Sequence, residues 1–163
     1  MNRKTSLIAQ GALIAAAYVA LTVAFAPFSF KEIQVRIAEA LAILPVFTAA
    51  AVPGLAVGCL LANIIGGAVL PDVIFGSLAT LIGAVGTRML RDRKPELAVI
   101  PPVVSNMLII PFVLRYAYEV PLPVPLMMLT VGIGEAISCG VLGLLLYKAL
   151  SPHRKSIFKE EDR

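Results

Sequence analysis

One histidine, His153, serves all 163 residues. No Ser-His-Asp triad, Cys-His pair or HExxH helix can therefore be assembled. There are only two cysteines, Cys59 and Cys139, both inside apolar stretches and without CxxC spacing. They read as small buried residues rather than a disulfide or metal pair. No GxxxxGK[ST] run occurs, so the chain cannot itself couple ATP hydrolysis to any process. Gly132-Ile133-Gly134 does not continue as a dinucleotide fingerprint, and in an apolar segment such glycines permit close helix contact. The carboxylates form no metal-ligand spacing and have no nucleophile with a base beside them, which argues against an enzyme. Charge is also scarce: 15% of residues are Asp, Glu, Lys or Arg, against about a quarter in soluble domains.

What fills the chain is apolar. Hydrophobic residues make up 59%, and the mean hydropathy of +0.91 places the chain in lipid. Spans of about 20 residues with short links use the whole length, giving one transmembrane domain over 1–150 and a polar cytoplasmic tail over 151–163. The pI of about 9.3 does not point to nucleic acid, because the basic residues gather at the ends of apolar segments, where they serve topology. Ala24-Phe25-Ala26 resembles a signal-peptidase site. The apolar run before it is too long for a signal-peptide core and Pro27 follows at once, so the run is expected to stay as a span.

Turns and charges divide the chain into six apolar stretches, 6–28, 37–52, 54–70, 72–90, 97–118 and 124–150, each predicted as a transmembrane helix. The second and third are near the lower limit, with Pro53-Gly54 expected as a half-turn between them. Pro45, Pro101, Pro102 and Pro111 predict bends. Arg3, Lys4, Arg88, Arg91, Arg93, Lys94, Lys148, Arg154, Lys155, Lys159 and Arg163 fall on one side of these spans, and Lys31, Arg36 and Arg115 on the other. Eleven against three places both termini in the cytoplasm of a multi-pass plasma-membrane protein. The first three spans do not mirror the last three, which argues against an inverted repeat.

Several polar residues lie where lipid would not tolerate them. They are Gln34, Arg36 and Glu39 around the second helix, Asn63 in the third, Asp72 opening the fourth, Asn106 and Arg115 in the fifth and Glu135 deep in the sixth. An ionisable group at mid-bilayer costs at least ~2.5 kcal/mol on insertion scales, so each should face a cavity or a partner. The bland alternatives are an Arg36–Glu39 pair capping the second helix, amide bridges from Asn63 and Asn106, and Asp72 as a helix cap. Taken together, Glu32, Glu39, Asp72, Glu119 and Glu135 outnumber Lys31, Arg36 and Arg115 in the outward half. A slightly acidic site with amides suits a ligand bearing N–H donors or a cationic amine. Tyr116 or Tyr118 would stack on a flat ligand or anchor the chain at the interface.

The first helix differs in character. Ala12, Ala16, Ala20 and Ala24 recur at every fourth position, with Gly11 and Ala15 beside them. Such a strip lets another helix approach closely, and its length predicts contact with a separate membrane protein, packing inside the bundle being the alternative.

The stretch from Phe30 through Gln34, Arg36 and Glu39 to Leu41, followed by Ile43-Leu44-Pro45, resembles the queuosine-precursor transporter family. So do Pro53-Gly54-Leu55, Gly58-Cys59, Ala62-Asn63, the run from Asp72 to Leu81, Asn106 with Pro111, and Gly132-Ile133-Gly134-Glu135 with Ser138, Gly140 and Gly143. Those proteins are similar to substrate-binding S components of energy-coupling factor importers. The family pattern carries Ser before the second-helix Glu, where this chain has Ala38. The resemblance implies a six-helix bundle that captures a 7-deazaguanine, such as 7-aminomethyl-7-deazaguanine. Import would then be driven by a transmembrane T component and two ATPase subunits from other genes, with no cofactor. It also implies Gln34, Arg36, Glu39, Asn63, Asp72, Asn106 and Glu135 as ligand contacts, with Glu39 and Glu135 the main carboxylates and Asp72 a candidate for the amine. The rivals are an S component for another vitamin or base, and a secondary transporter or channel that works alone as an oligomer.

Overall fold

The computed structural model describes residues 3–25 and 36–158, and all regular structure among them is helical. Gln34 and Glu32 lie outside the described residues. Helix α1 (Arg3–Ala24) is followed by a 3-10 helix, α2 (Ile37–Val46), and by α3 (Ala51–Ile65) and α4 (Leu70–Met89). Then come a single turn, α5 (Pro95–Ala98), and α6 (Ile100–Tyr116). The last long helix runs through α7 (Val124–Glu135), a π-helical stretch Ala136–Leu142 and α8 (Gly143–Leu150), and closes on a short 3-10 turn and α9 (Arg154–Ile157).

Four helical stretches reach spanning length and hydropathy, Lys4–Ala24, Leu70–Met89, Pro95–Tyr116 and Val124–His153, where the sequence predicts six spans. The second and third stretches form helices of 10 and 15 residues. At about 2.0 and 1.5 Å per residue these reach roughly 20 Å, short of a hydrocarbon core about 30 Å thick. Proline explains the shortfall. Pro45 lies in the last turn of α2, and the chain then turns at Phe47–Ala50 rather than at the expected Pro53-Gly54. Pro53 instead occupies the first turn of α3, where its missing N–H is no loss because those amides have no partner within the helix. The Thr48 hydroxyl supports this turn, accepting from the Ala50 amide at 3.3 Å and donating to Gln10 of α1 at 2.9 Å. Pro101 and Pro102 likewise start α6 rather than bend it.

Small residues set the packing. A Cβ on Gly54 would lie 2.7 Å from the Gly11 carbonyl oxygen, and one on Gly58 would lie 2.8 Å from Tyr18 Cβ and 3.0 Å from Ala15 Cα. Helices α1 and α3 thus cross with their backbones nearly touching, a contact open only to glycine. Similarly, α6 sets Pro101 and Pro102 against Gly86 and Gly83 of α4. Helix α1 remains peripheral, with 22% of its span buried. Ile14, Ala15, Tyr18 and Thr22 face inward, whereas Ala12, Ala16, Ala20 and Ala24 are all exposed along with Ile8, Leu13 and Val23. Ile64, Ile74, Phe75, Phe112, Leu129 and Val141 are exposed elsewhere, while Glu39, Asn63, Asn106 and Glu135 are buried. A surface apolar outside and polar within suits a lipid surround.

Residues 151–154, 156 and 157 of the tail are exposed, but one side chain anchors it to the bundle. Phe158 is buried, and its ring stacks on Phe47 at 5.4 Å between centroids, with Tyr147 on Phe47 at 5.2 Å.

Candidate functional site

Six of the polar residues singled out above converge inside the bundle. Arg36, Glu39, Asn63, Asp72, Asn106 and Glu135 are each between 0% and 8% exposed. They meet where the starts of α2 and α4, the last turn of α3, the middle of α6 and the end of α7 come together. Arg91 and Arg93, by contrast, lie just past the other end of α4. Burial of this order is sustained only if the groups satisfy one another or await a ligand.

One line of contacts crosses α2, α3 and α4. Arg36 precedes α2 in extended conformation, and its Nη2 donates to Asn63 Oδ1 at 2.8 Å. Asn63 Nδ2 donates to the Asp72 carbonyl at 3.2 Å, and the Asp72 carboxylate accepts from the Tyr118 hydroxyl at 2.9 Å. The pair capping α2 is therefore not formed directly, since the Arg36 bond goes to Asn63. Asp72 is not the N-cap of α4, a position held by Val69, but sits in its first turn, where a negative charge is favoured. The room for it comes from Gly76, whose Cβ would stand 2.9 Å from Asp72 Oδ1 and 3.0 Å from Asn63 Nδ2. Tyr118 lies beyond the 95–116 span, and burial, then the Asp72 charge, pushes its pKa up to about 12. It stays a neutral donor. Its hydroxyl is held by Asp72, whereas Tyr116 is exposed.

A second group gathers around two carboxylates. The Tyr18 hydroxyl, from α1, donates to Glu39 Oε1. The Cys139 thiol lies 3.2 Å from Glu135 Oε2 and 3.5 Å from the Glu39 carbonyl oxygen. Asn106 lies beside the Glu135 carboxylate. A carboxylate oxygen from each glutamate and the Cys139 sulfur all lie within 4.8 Å of one another. By composition this trio could also ligate a cation.

Among the described residues, three buried polar atoms have no hydrogen-bond partner: Arg36 Nε, Glu39 Oε2 and Ser138 Oγ. They offer one donor, one acceptor and one hydroxyl at the centre of the polar cluster and beside Cys139. Leaving such atoms unpaired costs about 1–3 kcal/mol each, so they mark where a ligand can gain the most.

Sequence reasoning missed Tyr18, Ser138 and Cys139. A signal for Tyr18 was present, because a phenol hydroxyl inside an otherwise apolar span must find an acceptor. Cys139 follows Glu135 by four residues, a spacing that sets the two side chains beside each other on one helical face. A groove of about 440 Å³ between α4 and α6, lined by Phe75, Phe112 and Tyr116 among others, contains none of the site residues and is almost wholly apolar.

No curated protein and no solved structure matches the chain. The family model of the QueT transporter matches residues 8–152, nearly the whole chain, and takes in every residue of the polar cluster. The buried polar cluster in an apolar helical bundle is thus carried by a chain that belongs to the QueT transporter family.

Proposed function

We propose that this transporter is the substrate-binding S component of an energy-coupling factor importer and that it captures a 7-deazaguanine precursor of queuosine. The observation that carries the reading is the buried cluster with its unpaired donor and acceptors. A 7-deazaguanine presents N1–H and a 2-amino group to carboxylates and offers O6 to a donor, for which Arg36 Nε is free. Arg36, Glu39, Asn63, Asp72, Asn106 and Glu135 supply the contacts, joined by Gln34 from outside the described residues and by Tyr18 behind Glu39. The T component would lie against Ala12, Ala16, Ala20 and Ala24, whose exposure leaves that face of α1 open. Two ATPase subunits would supply the energy in the plasma membrane.

Mass spectrometry of the denatured, freshly purified protein is expected to show a co-purified deazaguanine. A different vitamin or base would overturn the substrate, and uptake by the purified protein alone in liposomes would overturn the S-component role. Gly76→Ala offers a finer check. Its methyl would press on the ends of the Asp72 and Asn63 side chains rather than on backbone. Ligand affinity should fall severalfold in calorimetry while the melting temperature stays near wild type. Unchanged affinity would remove Asp72 and Asn63 from the site.

A further inference from the structure

Around Glu39 and Glu135 the charges do not balance. Among the described residues, three buried carboxylates, Glu39, Asp72 and Glu135, face one buried guanidinium, Arg36, already committed to Asn63 through Nη2. Asp72 is taken up by Tyr118, on the far side of Asn63. Glu39 and Glu135 converge, and Glu39 Oε2, on a residue 1% exposed, has no partner.

Their spacing has room for one ammonium group between them. Two acceptors receiving different hydrogens of a single tetrahedral –NH3+ at about 2.8 Å stand about 4.6 Å apart. One carboxylate oxygen of each glutamate and the Cys139 sulfur lie within 4.8 Å of one another, close enough for a single ammonium to reach both glutamates. We propose that Glu39 and Glu135 together form an ammonium subsite, with Cys139 as its third wall, that selects a primary amine on the ligand. This rests on the queuosine-precursor reading and deepens it: the 7-aminomethyl base is the substrate, and the 7-cyano base is discriminated against. A nitrile brings no N–H donor and turns its own lone pair toward two carboxylates. Asp72 and the amides are left for the base itself, reversing the role the sequence suggests for Asp72.

The test is calorimetric titration of the full chain in detergent with 7-aminomethyl-7-deazaguanine and, separately, 7-cyano-7-deazaguanine. The wild-type protein should bind the amine about tenfold or more tightly, the scale of a charge-assisted hydrogen bond lost. Glu135→Gln should erase most of that preference, weakening the amine far more than the nitrile. Equal affinity of the wild type for both bases overturns the ammonium subsite and leaves the queuosine-precursor reading standing, whereas binding of neither overturns both. Should Glu135→Gln weaken both bases equally, Glu135 has a structural role and the subsite fails. The wild-type comparison requires no variant to fold.

Discussion

Arg36→Leu is expected to unfold the protein at a markedly lower temperature and to abolish ligand binding. Removing one partner of a buried charge network typically costs about 3–5 kcal/mol, because the remaining charges stay buried without compensation. Here the guanidinium acts on Glu39 and Glu135 as well as bonding Asn63. Adding Glu135→Gln to Arg36→Leu should recover part of the lost stability, since the double variant buries one negative charge fewer. The energies of two interacting groups are not additive, and the size of the recovery measures their coupling. Thermal melts of the four proteins in one detergent decide the matter. Wild-type melting of Arg36→Leu would show that the carboxylates are compensated elsewhere.

Ala16→Trp is expected to stop uptake while leaving both folding and ligand binding intact. Ala16 is exposed on the face of α1 opposite Tyr18, so a bulky side chain meets nothing within the bundle. Against a T component it would hold two backbones apart, and the complex would not assemble. Gly58→Ala supplies the contrast, because its methyl would meet Tyr18 Cβ and Ala15 Cα on the buried face. Overpacking of that kind costs about 1–3 kcal/mol, so stability and binding should fall together. Co-purification of T and ATPase subunits with Ala16→Trp would sink the interface, as would a joint loss of melting temperature and binding.

Composition and periodicity made the helical class and most boundaries legible, since a long apolar run has few alternatives to a helix in lipid. The region around 45–54 was not, because two prolines eight residues apart each permit a turn, and the turn at 47–50 is held by tertiary contacts, Thr48 on Gln10 and Gly54 on Gly11. Site residues were legible where they broke the hydrophobic run by charge or amide, as Glu39, Asn63, Asn106 and Glu135 do. Tyr18 and Cys139 count among the hydrophobic residues of the composition, yet they meet the carboxylates through a hydroxyl and a thiol. Pairings were hidden as well. That Arg36 bonds Asn63, 27 positions away, is a matter of helices packing together, whereas Glu39 is near in sequence and invites the wrong partner.

The π-helical stretch also governs the far end of the molecule. Each residue taken up by a wider turn rotates everything after it by about 100° relative to a continuous α-helix. The azimuth of α8 is therefore set by residues 136–142, and with it the direction in which Tyr147 projects. Tyr147 meets Phe47 on that heading, and Phe47 in turn holds Phe158. Straightening the π turn to α would swing the Tyr147 ring off Phe47, so the helical phase set at residues 136–142 keeps the end of the last helix in register with the rest.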